Sequence, residues 1–570
     1  MTRQRKRNNV RKAIRSPGAG TSLKAVSDSS GNWTRWRVGG LLAVVVISLI
    51  VNCVGLGWGR SGLVPWYPDS IEGITTVREM PRMFRQWTYK YPRGHFLINT
   101  IFYHPLLKYW EKHPVKTGTA DGRIVSQALN SERLDLLANI SRVISAVMGV
   151  GTVLAVFLAS RLVFRDYLGA FLAGLALALS QLFVFYSHSG NVDVPCVFWF
   201  TWGVYWAVKA VYIGTWRHFV LMGLCFSLSI CTKDAVVGYL AGMVPAFWVA
   251  MICKNRADGQ SFKTAVLSVF SKKVLVAVLV FLFVYALLQD ILTAPQAFAE
   301  RMSHWFGGPG VSGYDKGFRG QLPLLWSACR MLYGSFGWPL LAIIGISLVY
   351  CSIKHPWQSV PLTVPLIAFY VMVVMNIRFV APRFFLPAYA GFALLVGKGC
   401  ADWLRYKKIH IALRLLPVAI VYILSLLYCV GLDLEMLNDT RVRTEHWFYK
   451  NVGRDNLIGA GFNNKLYAPR LHFNGYRLMC PWRVSRVRGI PGRGQLYPDY
   501  LIMTPGWLRI KEKAEATFRE KLFDGQTNYK QVIRLKSKYL YPARTIFGFA
   551  GWPIPKHGFL SPEIIVFKKK

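Results

Sequence analysis

Apolar runs long enough to cross a bilayer recur along most of this 570-residue chain. A membrane-crossing helix needs about 20 apolar residues, and about eleven stretches approach that length. They lie at Val38–Gly57 and near 136–160, 168–187, 192–213, 218–232, 235–253, 274–293, 338–353, 359–377, 384–400 and 411–431. Lipid offers the backbone no hydrogen-bond partners, so segments of this kind fold as helices and pack as a bundle. The composition agrees: 53% of residues are hydrophobic and 17% are charged, which an ordinary soluble protein of this size would not combine with such runs. The net charge of +42 would suggest nucleic acid in a soluble protein. Here the basic residues sit in short loops, at both termini and in the tail. Positive-inside topology and anionic lipid headgroups account for them, and no nucleic-acid motif is present. The expected partners therefore include membrane lipids and exclude nucleic acid.

The fold class expected is mainly α: a polytopic transmembrane bundle of about eleven spans with a small α/β extracytoplasmic C-terminal domain. Residues 1–37 carry many Arg and Lys against a single acid, Asp28, and read as a basic cytoplasmic arm. The following apolar run is long enough to be a retained anchor rather than a signal peptide. Residues 38–431 form the membrane region, with a long first outer loop over 58–134 that should contain amphipathic helices at Gly73–Trp87 and His95–Trp110. The segments 161–167, 214–217, 254–273, 354–358 and 401–410 each hold Arg or Lys and count as cytoplasmic. That count places the amino terminus inside and residues 432–570 outside. The tail reads as a helix over Asn438–Val452, strands at Leu457–Gly461, Tyr500–Met503 and Tyr529–Leu535, and a helix over Phe518–Phe523. The ten cysteines are scattered, nine of them before the tail and Cys480 within it, with no spacing that suggests zinc or a disulfide framework.

Four polar clusters fall on the outer side under this topology. The first is Trp66-Tyr-Pro-Asp69-Ser-Ile-Glu72, followed by Arg78, Arg82, Arg85, Lys90, Tyr91 and Arg93. Two acids after a proline also favour a helix N-terminus, through fixed φ and the helix dipole. Glu72, three residues beyond Asp69, is expected on the same helical face. The second cluster is Ser187-His188-Ser-Gly-Asn-Val-Asp193-Val-Pro195, in which Asp193 either caps a span or enters it, where an acid is costly and usually functional. His188 is expected to be an interface residue or a hydrogen-bond partner. The third, Thr232-Lys233-Asp234, is either a neutralised turn or a phosphate-binding cation. The fourth begins at Arg378 and holds Arg383 before Pro387. Arg383 is either a snorkelling arginine or an anion clamp, to which its fork geometry is suited.

In their order and sidedness these segments resemble the GT-C superfamily of membrane glycosyltransferases. The resemblance is to its branch of dolichyl-phosphate-mannose–protein mannosyltransferases and aminoarabinose transferases, and it covers about residues 40–540. Tyr67-Pro68-Asp69 with Glu72 is similar to the acidic motif of the family's first outer loop, and Tyr91-Pro92 to its juxtamembrane turn. Phe185 to Asp193-Val194-Pro195 resembles the second acidic motif, Gly223–Lys233 the Gly-Leu…Thr-Lys hairpin, and Arg383-Phe-Phe-Leu-Pro387 the late Arg-Tyr-x-Leu-Pro segment. Asp439 to Val452 and Pro498–Ile502 look like its outer C-terminal domain. Two departures stand out. The acidic pair, adjacent in the family, is spread to Asp69 and Glu72. The aminoarabinose branch has a lysine immediately before its prolines, where this chain has Tyr91, with Lys90 one step earlier.

The resemblance implies an inverting glycosyltransferase that moves a sugar from a polyprenyl- or dolichyl-phosphate donor to a protein, glycolipid or glycan acceptor on the outer face of the membrane. Asp69 would be the base, with Glu72 assisting it or merely capping, and Asp193 would orient sugar or acceptor. Lys90, Arg93, Lys233 and Arg383 would bind the donor phosphate, with His188 and Tyr91 nearby. No cofactor is implied. The superfamily allows a divalent metal, but no ligand set here demands one. Two other classes share the gross pattern. A transporter or flippase would more often show internal symmetry and midplane charges, and a non-catalytic scaffold would tolerate loss of both Asp69 and Asp193.

Overall fold

The computed structural model describes residues 35–59, 66–67, 69–83, 90–120, 123–127, 129–305, 320–460, 469–471, 476–479, 498–504, 520–537 and 561–570. The expected basic arm up to residue 34, Arg85 and Cys480 lie outside these residues. The first helix, α1, runs Arg35–Cys53. The first loop then carries α2 (Ile74–Glu79), α3 (Gly94–Lys112) and the antiparallel hairpin β1 (Val115–Ala120) and β2 (Arg123–Gln127). Of the helix expected over Gly73–Trp87, α2 is the α-helical part, continued by a 3-10 turn at Met80–Arg82; residues 84–89 are not described.

The bundle follows: α4 (Ser131–Phe164), α5 (Tyr167–Ala178), α6 (Gln181–Ser187), α7 (Asp193–Tyr212), α8 (Trp216–Ile230) and α9 (Val237–Ala257). It continues with α10 (Phe262–Leu267), α11 (Lys272–Leu288), α12 (Pro295–Trp305), α13 (Gln321–Lys354), α14 (Pro356–Phe369), α15 (Leu386–Arg405) and α16 (Ile411–Leu437). Among the described residues eight helical segments are long and apolar enough to cross a membrane, or nine if the bent pair α5–α6 is one span. The expectation of eleven exceeds this by the shorter apolar helices α1 and α8. The chain is thus mainly helical and a multi-pass membrane protein. Where α5 meets α15, Gly397 approaches so closely that a Cβ would lie 2.2 Å from the Gly169 carbonyl oxygen. Small residues at such crossings let helices pack without a hydrophobic driving force. Away from its neighbours α11 exposes Leu275, Leu279, Leu282 and Phe283, the apolar face that lipid requires.

Polar groups gather at the two ends of the bundle. At one end Asp166 caps α5 through the Gly169 N–H at 3.1 Å and takes Arg405 from the end of α15, while Asp402 meets Lys398 and His355. The opposite end carries the first loop, the starts of α7 and α15, and the α8–α9 turn. The helix α16 runs on to Leu437, six residues past the expected boundary at 431. Asp439 then caps α17 (Thr440–Asn451) by accepting from the Arg441 N–H at 2.9 Å.

The tail sheet has strand order β4-β3-β5-β7-β6, with β3 (Leu457–Ala460), β4 (Arg477–Met479), β5 (Tyr500–Met503), β6 (Tyr529–Leu535) and β7 (Ile564–Lys569). β3 pairs in parallel with β4 and β5, whereas β7 runs antiparallel between β5 and β6. The strands β4 and β7 were not expected from the sequence. Of the helix expected over Phe518–Phe523, the described part, 520–523, is helical. Phe448, Val452, Ile458 and Val566 form the tail's core against α17.

Candidate active site

The first loop is fixed before it presents anything. Arg142, in the first half of α4, donates to both carboxylate oxygens of Glu72, from Nε at 2.9 Å and from a terminal nitrogen at 2.7 Å. Its other contacts are the carbonyls of Leu56, Trp58 and Gly59, and both side chains of the pair are fully buried. The Tyr67 hydroxyl donates to Glu72 at 2.5 Å and accepts from the Gly190 N–H at 2.6 Å. A buried charge is stable only when paired and hydrogen-bonded, and this one joins the loop, α4 and the segment before α7. The tail holds the same loop. Trp58 Nε1 donates to Asp439 at 2.8 Å, and the Arg441 guanidinium lies 3.9 Å from the centre of the Trp66 ring.

Three residues beyond Trp66, Asp69 sits at φ 63°, the left-handed region that aspartate tolerates better than most residues. Its carboxylate meets Lys90 on one oxygen and an Arg383 nitrogen on the other, the latter at 2.5 Å. Burial pushes this carboxyl up, but the Arg383 guanidinium and the Lys90 ammonium outweigh it and hold the group down at about 2. Asp69 is therefore ionised at any physiological pH. A second pair stands beside the first. Asp193, the first residue of α7, meets Lys233 and accepts from Asn191 Nδ2 at 2.9 Å. Arg383 interacts with both Asp193 and Asp69, so the two pairs form one cluster. Three cations face two carboxylates there, which leaves one net positive charge.

Asp193, Lys233 and Arg383 also line a cleft with about 280 Å³ of empty space, floored by Tyr239, Phe369 and Phe384. A second, largely apolar cavity of about 450 Å³ shares Tyr239 and Pro387 with it and continues between α7, α9, α14 and α15 past Met243, Leu366 and Leu394. Charged cleft and apolar cavity thus lie side by side, an arrangement suited to a molecule with an anionic head and a hydrocarbon tail.

The structure brings Asp69, Asp193, Lys90, Lys233 and Arg383 together from four separate stretches of chain. Tyr91 lies beside them, with the Lys90 ammonium 5.1 Å from its ring centre. The other named residues stand apart. Glu72 does not share a helical face with Asp69, because α2 begins only at Ile74 and both acids precede it. Its oxygens are taken by Arg142 and Tyr67. Arg93 pairs with Asp290 at 2.5 Å and donates to the carbonyls of Met83, Leu287 and Leu288, away from the cleft. His188 is buried, its ring nitrogens 2.7 and 2.6 Å from the Val184 and Val54 carbonyl oxygens. The sequence reading passed over Arg142. A lone arginine inside a long apolar helix was the available signal, since such a charge needs a partner. Among the described residues no group of three or more His, Cys, Asp or Glu side chains could hold a metal ion.

Residues 138–282 match the family model described as dolichyl-phosphate-mannose-protein mannosyltransferase. No curated protein matches the chain by sequence. Among solved structures it is similar to ArnT from Cupriavidus metallidurans bound to undecaprenyl phosphate, at 14% identity and a TM-score of 0.47, over 93% of this chain and 98% of that one. It is also similar to the apo oligosaccharyltransferase of Archaeoglobus fulgidus, at 13% identity and a TM-score of 0.42, over 83% and 70% of the two chains. A third likeness is to the S. cerevisiae protein O-mannosyltransferase Pmt1-Pmt2 complex bound to the sugar donor, at 15% identity and a TM-score of 0.33, over 46% and 34%. Likenesses this distant carry no weight for the chemistry. The chain resembles the GT-C superfamily of membrane glycosyltransferases, and its residues 138–282 match that superfamily's dolichyl-phosphate-mannose-protein mannosyltransferase family.

Proposed function

We propose that this protein is an inverting glycosyltransferase that takes a sugar from a polyprenyl- or dolichyl-phosphate donor and passes it to a protein, glycolipid or glycan acceptor at the outer face of the membrane. The observation that carries this reading is the cleft of Lys233, Arg383 and Asp193, with Lys90 and Asp69 near it, next to an apolar cavity between membrane helices that shares Tyr239 and Pro387 with it. The donor phosphate sits among Lys90, Lys233 and Arg383, and its lipid chain follows the apolar cavity. Asp69 takes the proton from the acceptor hydroxyl as that oxygen attacks the anomeric carbon. The bond from that carbon to the phosphate oxygen breaks, and its electron pair stays on the lipid phosphate. Asp193 keeps Lys233 in place and orients the sugar or the acceptor.

The electrostatics favour this course. A donor phosphodiester carries one negative charge and matches the site's one net positive charge. As the phosphate draws Lys90 and Arg383 toward itself, it loosens their hold on Asp69, whose basicity then rises. At the end of the reaction the added charge on the lipid phosphate is balanced by the proton on Asp69. The cations act by stabilising charge that develops at the leaving oxygen.

By the same reading the charged cluster and residues 432–570 face the outside, and the arm over 1–37 lies in the cytoplasm. The basic short loops at the opposite end of the bundle support that orientation. The test is incubation of the purified protein with a panel of radiolabelled polyprenyl-phosphate sugars and membrane extract, followed by identification of the labelled product. Failure of every donor to label an acceptor would remove the reading. Lys233→Ala is expected to raise the donor KM by about 10- to 100-fold, the range of one hydrogen bond to a charged group, with a much smaller effect on the acceptor KM. Equal donor KM values in variant and parent would reduce Lys233 to a turn residue.

A further inference from the structure

Lys90 and Lys233 come from different segments, and both are long, flexible chains. Two cations can bracket one phosphate only if their backbones are held at a fixed separation, and small misplacements in such sites are costly. The structure holds a brace that does this. The Gly94 N–H donates to the Cys231 carbonyl at 2.9 Å, joining the turn after Lys90 to the residue two before Lys233. A Cβ at Gly94 would lie 2.5 Å from that oxygen, so the contact requires glycine. On the side away from the cleft, both segments are tied to the end of α11. Arg93 pairs with Asp290 at 2.5 Å. Arg301, on α12, donates to Asp234 at 2.7 Å and to the side-chain oxygen of the neighbouring Gln289. Arg93, Gln289, Asp290 and Arg301 are all buried. Asp290 adopts φ 62°, a conformation that costs energy for a residue other than glycine and persists where the surroundings demand it.

We propose that Arg93 and Arg301 are positioning residues of the donor site, which from adjacent anchors at Asp290 and Gln289 set the spacing of Lys90 and Lys233 around the donor phosphate. The proposal rests on the reading of the cleft as a lipid-phosphate site. It assigns Arg93 a role behind the site rather than in it. It also makes α12 part of the donor machinery, through Arg301 and the residue next to Lys233.

The test uses the full chain in detergent with undecaprenyl phosphate as the probe. Arg301→Gln is expected to raise the Kd for the probe roughly tenfold, the scale on which residues that touch no ligand alter binding. Arg301→Lys, which can still reach Asp234, is expected to recover most of the affinity. Asp234→Asn removes the same ion pair with little change of shape and should weaken binding in parallel, which keeps the test open if Arg301→Gln does not fold. A merely structural role would lower the melting temperature of all three variants and leave the Kd of the folded protein unchanged, and that result overturns the proposal. Equal weakening by Arg301→Gln and Arg301→Lys would overturn it as well. If the unsubstituted protein does not bind undecaprenyl phosphate, the lipid-phosphate reading itself fails, an outcome separate from any difference among the variants.

Discussion

Asp69→Asn is expected to lower the rate of sugar transfer by about 10²- to 10⁴-fold, the usual contribution of a positioned general base, while insertion and folding are retained. Asparagine has the shape of aspartate but cannot accept the acceptor's proton. Asp69 is held by side-chain contacts from Lys90 and Arg383 and sits in a loop fixed mainly by its neighbours, so little of the fold depends on its charge. The same substitution leaves Lys90 and Arg383 less compensated. Binding of a polyprenyl phosphate is therefore expected to be unchanged or tighter while turnover collapses. Rates measured with saturating donor, together with a direct binding titration, separate the two effects. Turnover near that of the parent protein would remove Asp69 as the base. A parallel loss of binding would mean that it organises the site instead.

The second large effect is expected at Glu72 and Arg142, and it falls on stability. Breaking one partner of a buried ion pair costs about 3–5 kcal/mol, because the other charge is left without compensation. Here Arg142 would also be left without a charged partner, and Tyr67 would lose its charged acceptor. Glu72→Gln and Arg142→Met should each lower the unfolding temperature of the detergent-solubilised protein strongly. The double variant should be less destabilised than the sum of the two, since it leaves no orphaned charge. If Glu72→Gln kept its unfolding temperature and lost transfer, Glu72 would belong to the chemistry rather than to the frame.

The two acids also show where sequence reading stopped. Asp69 and Glu72 are three residues apart, and in a helix they would share a face. The left-handed φ at Asp69 and the start of α2 only at Ile74 remove that premise, and the two carboxylates go to different cations. Arg93 lies three residues from Lys90 and looked like part of the same basic run. It is drawn instead to Asp290, a residue far away in the chain. Such pairings depend on which segments meet, and local spacing does not contain that information.

The sequence by itself determined where most of the long membrane helices lie, though not their ends. Runs of apolar residues must satisfy their backbone hydrogen bonds internally in lipid, so the expected spans around α4, α7, α9, α11, α15 and α16 are helical, and charged residues fall at their ends. It also named the residues that form the charged cluster, together with Glu72, Arg93 and His188, which stand apart from it. Tertiary structure alone decided which of them meet. Asp69 reaches Arg383 across more than three hundred residues, and Glu72 is withdrawn into the frame by an arginine that no spacing rule connects to it. Long-range ion pairs in a bundle are set by helix packing, which depends on the shapes of all the helices at once.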